Sequence, residues 1–156
     1  MAEKSIVLVA SVSILKENKV LMIKEMKPSA YNKWNFPSGR IEYMEGILDA
    51  ACREVKEETG YDVSLTGTTG VYNFISSSNH QVILFHFTGE IIGGALELQE
   101  DEIIDARWIT LEGILTYDSG VLRDESVIRQ IANRLLKKEI YALDIFSKQL
   151  SGNGEN

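Results

Sequence analysis

Glu54, Glu57 and Glu58 stand at positions i, i+3 and i+4 of one segment, a spacing that puts three side chains on one face of a helix. Carboxylates on neighbouring turns repel, so a helix selected for stability alone would not gather them. A divalent cation that takes hard oxygen ligands, such as Mg²⁺, Mn²⁺ or Ca²⁺, removes the conflict. A solvated acidic face is the competing account of an E-x-x-E-E run; here the surrounding residues decide against it. Arg53 directly precedes the triplet, and Glu45 lies eight residues before Arg53, about two helical turns away. An ion pair between them would orient the guanidinium, leaving its other donors for a neighbouring carboxylate. Gly39 permits a tight loop where a side chain would crowd the backbone or a ligand. Gly60, after Thr59, suits the left-handed conformation that ends a helix. Leu48, Ala51, Cys52 and Val55 fill an adjacent side that can be buried.

The charge distribution asks for the same cation. The chain has 156 residues and a formal charge of −7, enough for one core and too short for two ordinary domains. Residues 42–62 hold seven acids against Arg53 and Lys56, and residues 90–105 hold six acids with no lysine or arginine. Such acidity argues against a nucleic-acid polymer, which needs a basic footprint. It suits a small anionic substrate only where metal ions mediate, because bare carboxylates repel phosphates. The single cysteine, Cys52, excludes an intramolecular disulfide, and its place on the apolar side of the helix reads as a small buried hydrophobe. Ile6 to Leu15 follows Lys4, but its serines alternate with apolar residues and no A-x-A site follows, so it reads as a strand and not as a signal-peptide core. No apolar run approaches a membrane span, and the cytoplasm is the expected location.

Along the chain, residues 5–15 and 19–27 alternate around a polar turn and predict a hairpin. Trp34 to Phe36 is a short strand ending at Pro37, after a loop. The motif helix is expected from Glu45 to Thr59, with strands over 70–77 and 80–91, a loop at Gly93-Gly94 and a strand near 105–109. Thr110 is placed to cap a short helix. A last helix spans about 123–140, with Val127, Ile128, Ile131, Leu135 and Leu136 at helical spacing. Strands mixed with helices that can cover both faces predict an α/β/α sandwich around a mixed sheet, a single domain over 1–150, and a frayed tail at 151–156.

The run from Gly39 to Tyr61 matches in full the pattern G-x5-E-x7-R-E-U-x-E-E-x-G-U, with U a bulky apolar residue; in this it resembles the Nudix (MutT-like) hydrolases. Tyr61 is an aromatic where the family usually has an aliphatic. Trp34-Asn35-Phe36-Pro37-Ser38-Gly39 is similar to the family's approach to the motif, and Arg107-Trp108-Ile109 to its late strand. Ser38 replaces a frequent glycine, at a position whose backbone carbonyl can be a metal ligand.

The resemblance implies the Nudix α/β/α fold and hydrolysis of a nucleoside diphosphate linked to another group, or of a similar pyrophosphate, by metal-activated water. It implies Mg²⁺ or Mn²⁺ on Glu54, Glu57, Glu58 and the Ser38 carbonyl. Glu54 would be the water-activating base, Arg53 would orient it, and Glu45 would hold Arg53. The family often recruits one further acid from a later loop, which points to Glu102 and next to Glu100. Arg40 is a candidate phosphate contact, with Lys24 behind it. Tyr72 and Phe74, and also Trp34, are candidates to stack on a base, with core packing as the alternative. His80 and His86 read as structural. The layout most resembles compact bacterial members that act broadly on nucleoside tri- and diphosphates and thiamine-precursor pyrophosphates, with removal of oxidised nucleotides such as 8-oxo-dGTP as a sibling activity. A Nudix-fold module that senses a nucleotide without cleaving it is the alternative, against which the five intact motif residues weigh. A monomer or homodimer is expected, with no membrane partner.

Overall fold

The computed structural model of the chain describes residues 5–99 and 101–148. The expected tail at 151–156 and Glu100 lie outside these residues. Strand β1 (Ile6–Lys16) and strand β2 (Lys19–Glu25) form the predicted hairpin, with Glu17 at a positive φ of 58° in the turn. The two strands pair only at Leu15↔Val20 and Lys16↔Lys19, then part. Past that point β1 runs parallel to β6 (Gln81–Gly94) and antiparallel to β4 (Ser38–Arg40). β6 in turn carries β5 (Tyr61–Ile75). β2 pairs with β3 (Lys33–Asn35) and β7 (Ile103–Thr110). The hairpin therefore hinges two half-sheets that make up one mixed sheet, and the divergence leaves room between them for polar groups.

Helices cover both faces. α1 (Ile47–Thr59) places Ala50, Ala51 and Val55 on Ala10, Val12, Ile14, Leu21 and Phe87. α2 (Leu111–Leu115) and α3 (Glu125–Leu136) cover the opposite face, where Val127, Ile128, Ile131 and Leu135 meet Val20, Met22, Trp34, Phe36 and Tyr72. Side chains alternate along a strand, so Ala10, Val12 and Ile14 of β1 face α1 while Val7, Val9, Ser11 and Ser13 face the other layer. Each fully buried Val or Ile contributes about 1.5–3 kcal/mol by leaving water. The α/β/α sandwich is the architecture expected from the sequence.

Several boundaries differ from expectation for physical reasons. β5 begins directly after Gly60 and not near residue 70. Its missed half, including Thr66-Gly67-Thr68-Thr69-Gly70, is small and polar, so its strand character comes from pairing with β6 across three register shifts. Gly93-Gly94 belongs to β6 and not to a loop. Ser38–Arg40 is a strand, because Ala10↔Gly39 and Ser11↔Ser38 pairing draws it onto β1. α1 starts at Ile47 with Gly46 as its N-cap, which leaves Glu45 just ahead of the helix. α3 spans Glu125–Leu136, shorter than the 123–140 expected.

Candidate active site

Gly60 ends α1 at φ 82°, with its N–H donated to the Lys56 carbonyl. A Cβ there would also run into the Ala95 carbonyl oxygen. The helix thus stops where β5 must begin and holds the acidic residues at a fixed height over β4.

Arg53 organises the outer part of this platform. Its Nε donates to Glu45 Oε2 at 2.6 Å and its Nη2 to Glu45 Oε1 at 2.9 Å, a two-pronged ion pair. Glu45 also accepts the Glu42 N–H at 3.0 Å, and the Arg53 hydrogen bond holds its carboxyl below the usual range. Nη1 of Arg53 donates to Glu54 Oε1 at 2.7 Å and to Glu57 Oε2 at 3.2 Å, while Nη2 also reaches the Arg40 carbonyl at 3.0 Å. Hydrogen bonds to Glu45 and then Glu54 keep the guanidinium firmly protonated against partial burial. The Glu54 carboxyl lies against Gly39, so any Cβ at that position would collide with it. Desolvation is the largest influence on Glu54 and raises its pKa, with Arg53 opposing.

The three motif carboxylates share one helical side but do not converge as the spacing implied. Glu58 is 2% exposed, and its Oε1 accepts the Ser38 N–H at 2.7 Å. Glu57 is half exposed at 50% of its side chain and is turned toward Arg53. Among the described residues, no three acidic, histidine or cysteine side chains are grouped closely enough to hold one ion. Periodicity sets where a Cα–Cβ bond points, whereas the nearest donor decides where a long carboxylate ends.

The donor set nevertheless fits a divalent cation. Burial pushes Glu58 well above the usual carboxylate range, and the nearby charges of Glu25 and Glu54 push the same way. Lys27 and the Ser38 N–H only partly offset this. A hard cation at these oxygens would supply the missing positive charge. Glu54, Glu57 and Glu58 are the side chains that would hold it, with Ser38 adjacent.

A second cluster went unrecognised in the sequence. Glu25, 1% exposed, accepts from Asn35 Nδ2 at 2.7 Å and from Arg123 Nη1 at 2.9 Å. Asn35 Nδ2 also donates to Ser38 Oγ at 3.2 Å, so Arg123, Glu25, Asn35, Ser38 and Glu58 form one connected chain of polar contacts. A sequence signal did exist: Glu25 follows Leu21 and Ile23 at period two on a buried face, and a carboxylate in such a register must be partnered.

A cavity of about 260 Å³ opens beside this chain. Its floor is Val7, Val9 and Ser11 of β1 with Val82 and Leu84 of β6, and Val127, Ile128 and Ile131 of α3 form the roof. Ser38, Gly39, Arg40, Asn35, Lys27 and Arg123 line its polar end, and Phe74 and His80 also border it. The structure thus brings Arg40 and Phe74 to the cavity. Tyr72 is not among the lining residues: it is 4% exposed, its hydroxyl meets Thr69 Oγ1 at 2.8 Å, and Arg134 stacks on its ring at 5.0 Å. Trp34 is core, with Lys24 at 5.6 Å and Arg107 at 5.3 Å over its ring. Glu102 pairs with Lys27 at 3.8 Å, and that lysine's charge also reaches Glu54 and Glu58. Cys52 is only half-buried, its Sγ 3.9 Å from the Val63 carbonyl.

The family model described as NUDIX domain matches residues 6–131. The chain belongs to the Nudix family. Among curated proteins, this Nudix chain is 33% identical over 104 residues to the 8-oxo-dGDP phosphatase NUDT18 of Danio rerio, covering 65% of the chain and 31% of that protein. It is 31% identical over 101 residues to a putative 8-oxo-dGTP diphosphatase of Bacillus subtilis, covering 65% of the chain and 64% of the relative. The chain therefore spans about a third of the first relative's length and just under two thirds of the second's. Among solved structures, a NUDIX hydrolase from Nitrosomonas europaea superposes with a TM-score of 0.81 at 25% identity, covering 93% of this chain and 98% of that one. No helix among the described residues is long and apolar enough to cross a membrane.

Proposed function

We propose that the chain is a Nudix pyrophosphohydrolase that uses Mg²⁺ or Mn²⁺ to cleave a phosphoanhydride bond in nucleoside di- or triphosphates. The observation that carries this reading is the junction at Ser38-Gly39-Arg40. Ser38 is bonded to Glu58, Gly39 lies against Glu54, Arg40 is bonded to Arg53, and all three residues line the apolar cavity. A nucleoside in the cavity would leave its phosphates over the acidic platform.

A divalent ion bound there neutralises phosphate oxygens and lowers the pKa of bound water. The chain's own residues do the rest. Glu54 Oε1 is occupied by Arg53, leaving Oε2 to take a proton from the attacking water. Partial burial makes that carboxylate a better proton acceptor than a solvated one. Arg53 holds the base in place, Glu45 holds Arg53, and Arg40 and Lys27 offer positive charge at the mouth. Glu102 is the later acid proposed to join, through its pairing with Lys27. The relatives described above are named for 8-oxo-dGDP and, as a putative activity, 8-oxo-dGTP, which supports testing oxidised nucleotides first.

The test is phosphate and pyrophosphate release with Mg²⁺ or Mn²⁺ from nucleoside tri- and diphosphates, 8-oxo-dGTP, ADP-ribose and thiamine-type pyrophosphates. Metal-dependent turnover of one class is expected. Tight nucleotide binding with no turnover of any would replace this reading by a non-cleaving sensor.

A further inference from the structure

His86 follows the cavity-lining Val82 and Leu84 at period two along β6, and it is 0% exposed. Its Nδ1 is 2.6 Å from Ser11 Oγ and its Nε2 is 2.7 Å from Ser13 Oγ. Both serines come from the β1 face that floors the cavity, and Phe36 packs on the ring at 4.9 Å. Among the described residues no charged group contacts the imidazole, and burial depresses its pKa to about 3. A neutral imidazole carries one N–H and one acceptor nitrogen, so the two serines cannot play the same role.

The surroundings decide which serine does which. Ser13 is 0% exposed, and its only hydrogen-bond partner among the described residues is His86 Nε2. If Nε2 carried the hydrogen, the Ser13 hydroxyl hydrogen would be buried with no acceptor, a penalty worth at least about tenfold in the tautomer ratio. Ser13 therefore donates to Nε2, the hydrogen of His86 sits on Nδ1, and Nδ1–H donates to Ser11 Oγ. With its oxygen receiving that bond and no other side-chain partner among the described residues, Ser11, 2% exposed, has a hydroxyl hydrogen left over. Ser11 lines the cavity, whereas Ser13 does not.

From this geometry we propose that Ser11 is a specificity-determining residue: its hydroxyl, oriented by the Ser13–His86 relay, presents a fixed hydrogen-bond donor to the cavity and selects ligand groups that offer an acceptor there. The chemical class is a flat heterocycle with a carbonyl or unprotonated ring nitrogen at its buried edge, as in a nucleobase. The inference rests on the nucleotide reading above for the identity of that group. It adds a hydroxyl donor beside Ser38, the β4 residue paired with Ser11, to a cavity apolar along floor and roof. His86 and Ser13 act only through Ser11 and are positioning residues.

Two measurements decide it. A long-range ¹H–¹⁵N spectrum of the full chain reads the tautomer directly. The His86 signals are those missing from the spectrum of the His86→Gln variant. Hydrogen on Nδ1 is expected, and hydrogen on Nε2 overturns the proposal. The second is binding of dGMP, which carries the base without a phosphoanhydride bond. Ser11→Ala should weaken it about five- to tenfold, with Ser11→Thr, which keeps a hydroxyl, recovering most of the loss. Equal affinity of wild type and Ser11→Ala, measurable or nil, overturns the proposal. Hydrolysis of the substrate panel measured in parallel separates the two readings: no turnover of any member with the dGMP difference intact removes the hydrolase assignment and leaves this one standing.

Discussion

Arg53 and Arg123 are both 23% exposed along their side chains and both hold carboxylates, yet they are built on opposite plans. Arg53 gathers Glu45, Glu54 and Glu57, all within eight residues of itself, at the open edge of the platform. Arg123 reaches Glu25, 98 residues away in sequence and buried, at 2.9 Å, with its neighbour Asp124 at 3.8 Å. The first cluster depends on one helix and the loop before it. The second closes only when β2, β3 and the segment before α3 have come together. Side chains beside solvent can be exchanged at modest cost to folding, whereas one partner of a buried pair leaves a charge stranded. Under the proposed function, chemistry is concentrated at Arg53 and structural integrity at Arg123, with Ser38 joining the Arg123 network to Glu58.

The comparison breaks or sharpens under substitution. The largest effect is expected at the acids that would hold the metal: Glu57→Gln or Glu58→Gln should cut kcat on the order of a hundred- to thousandfold. Chelation by EDTA should abolish turnover, with Mg²⁺ or Mn²⁺ restoring it; a Glu57→Gln enzyme of unchanged kcat would remove that residue from the site. Next, Gly39→Ala pushes a methyl group into the Glu54 carboxyl and should cost about a hundredfold in kcat through misplacement of the base. Its melting temperature should stay close to wild type, since the displaced carboxylate borders solvent.

Arg123→Met should show the opposite pattern. Partial exposure lowers the cost below that of a fully buried pair, to about 2–3 kcal/mol of stability, read by chemical denaturation. Adding Glu25→Gln should recover part of the loss. If Arg53→Met cost as much stability as Arg123→Met, the contrast between the two arginines would be wrong.

Between pH 7 and 5.5, the smallest effect is in pH dependence. His86 has a folded pKa of about 3 against an ordinary value of 6.5, so between these values the unfolded chain binds one more proton than the folded one. Stability should therefore fall as pH drops below 6.5, by about 1.4 kcal/mol per unit at most from this group, and the loss should level off near pH 3. His86→Gln should flatten that slope in denaturation curves at pH 7 and 5.5.

How much was legible follows the range of the contacts. The Glu45–Arg53 pair, the Gly60 cap and the buried side of α1 lie within one helix and its flanks, and periodicity reports such neighbours directly. The ends of Glu57 and Glu58 were not legible, because the Ser38 N–H and Arg53 draw them apart. β5 was half read, because its threonine- and glycine-rich stretch has no alternation of its own and becomes a strand only against β6. Tyr72 and Phe74 lie two residues apart on the same strand face. Only the packed helix shows that Phe74 borders the cavity while Tyr72 is closed into core by Arg134 and Thr69.

The amino-acid sequence by itself determined the family, the sandwich of helices on a mixed sheet and an acidic platform fit for a divalent cation. These rest on residue types at fixed short offsets, whose geometry is set by the helix repeat and by glycine's backbone freedom. Only the tertiary structure decided that Glu25, Asn35 and Arg123 support the platform, that a cavity floored by β1 and β6 opens beside Gly39, and that Ser11 and Ser13 share one buried imidazole. Those contacts join strands 73 and 75 residues apart in the chain, and no local rule of spacing encodes which strand will lie beside which.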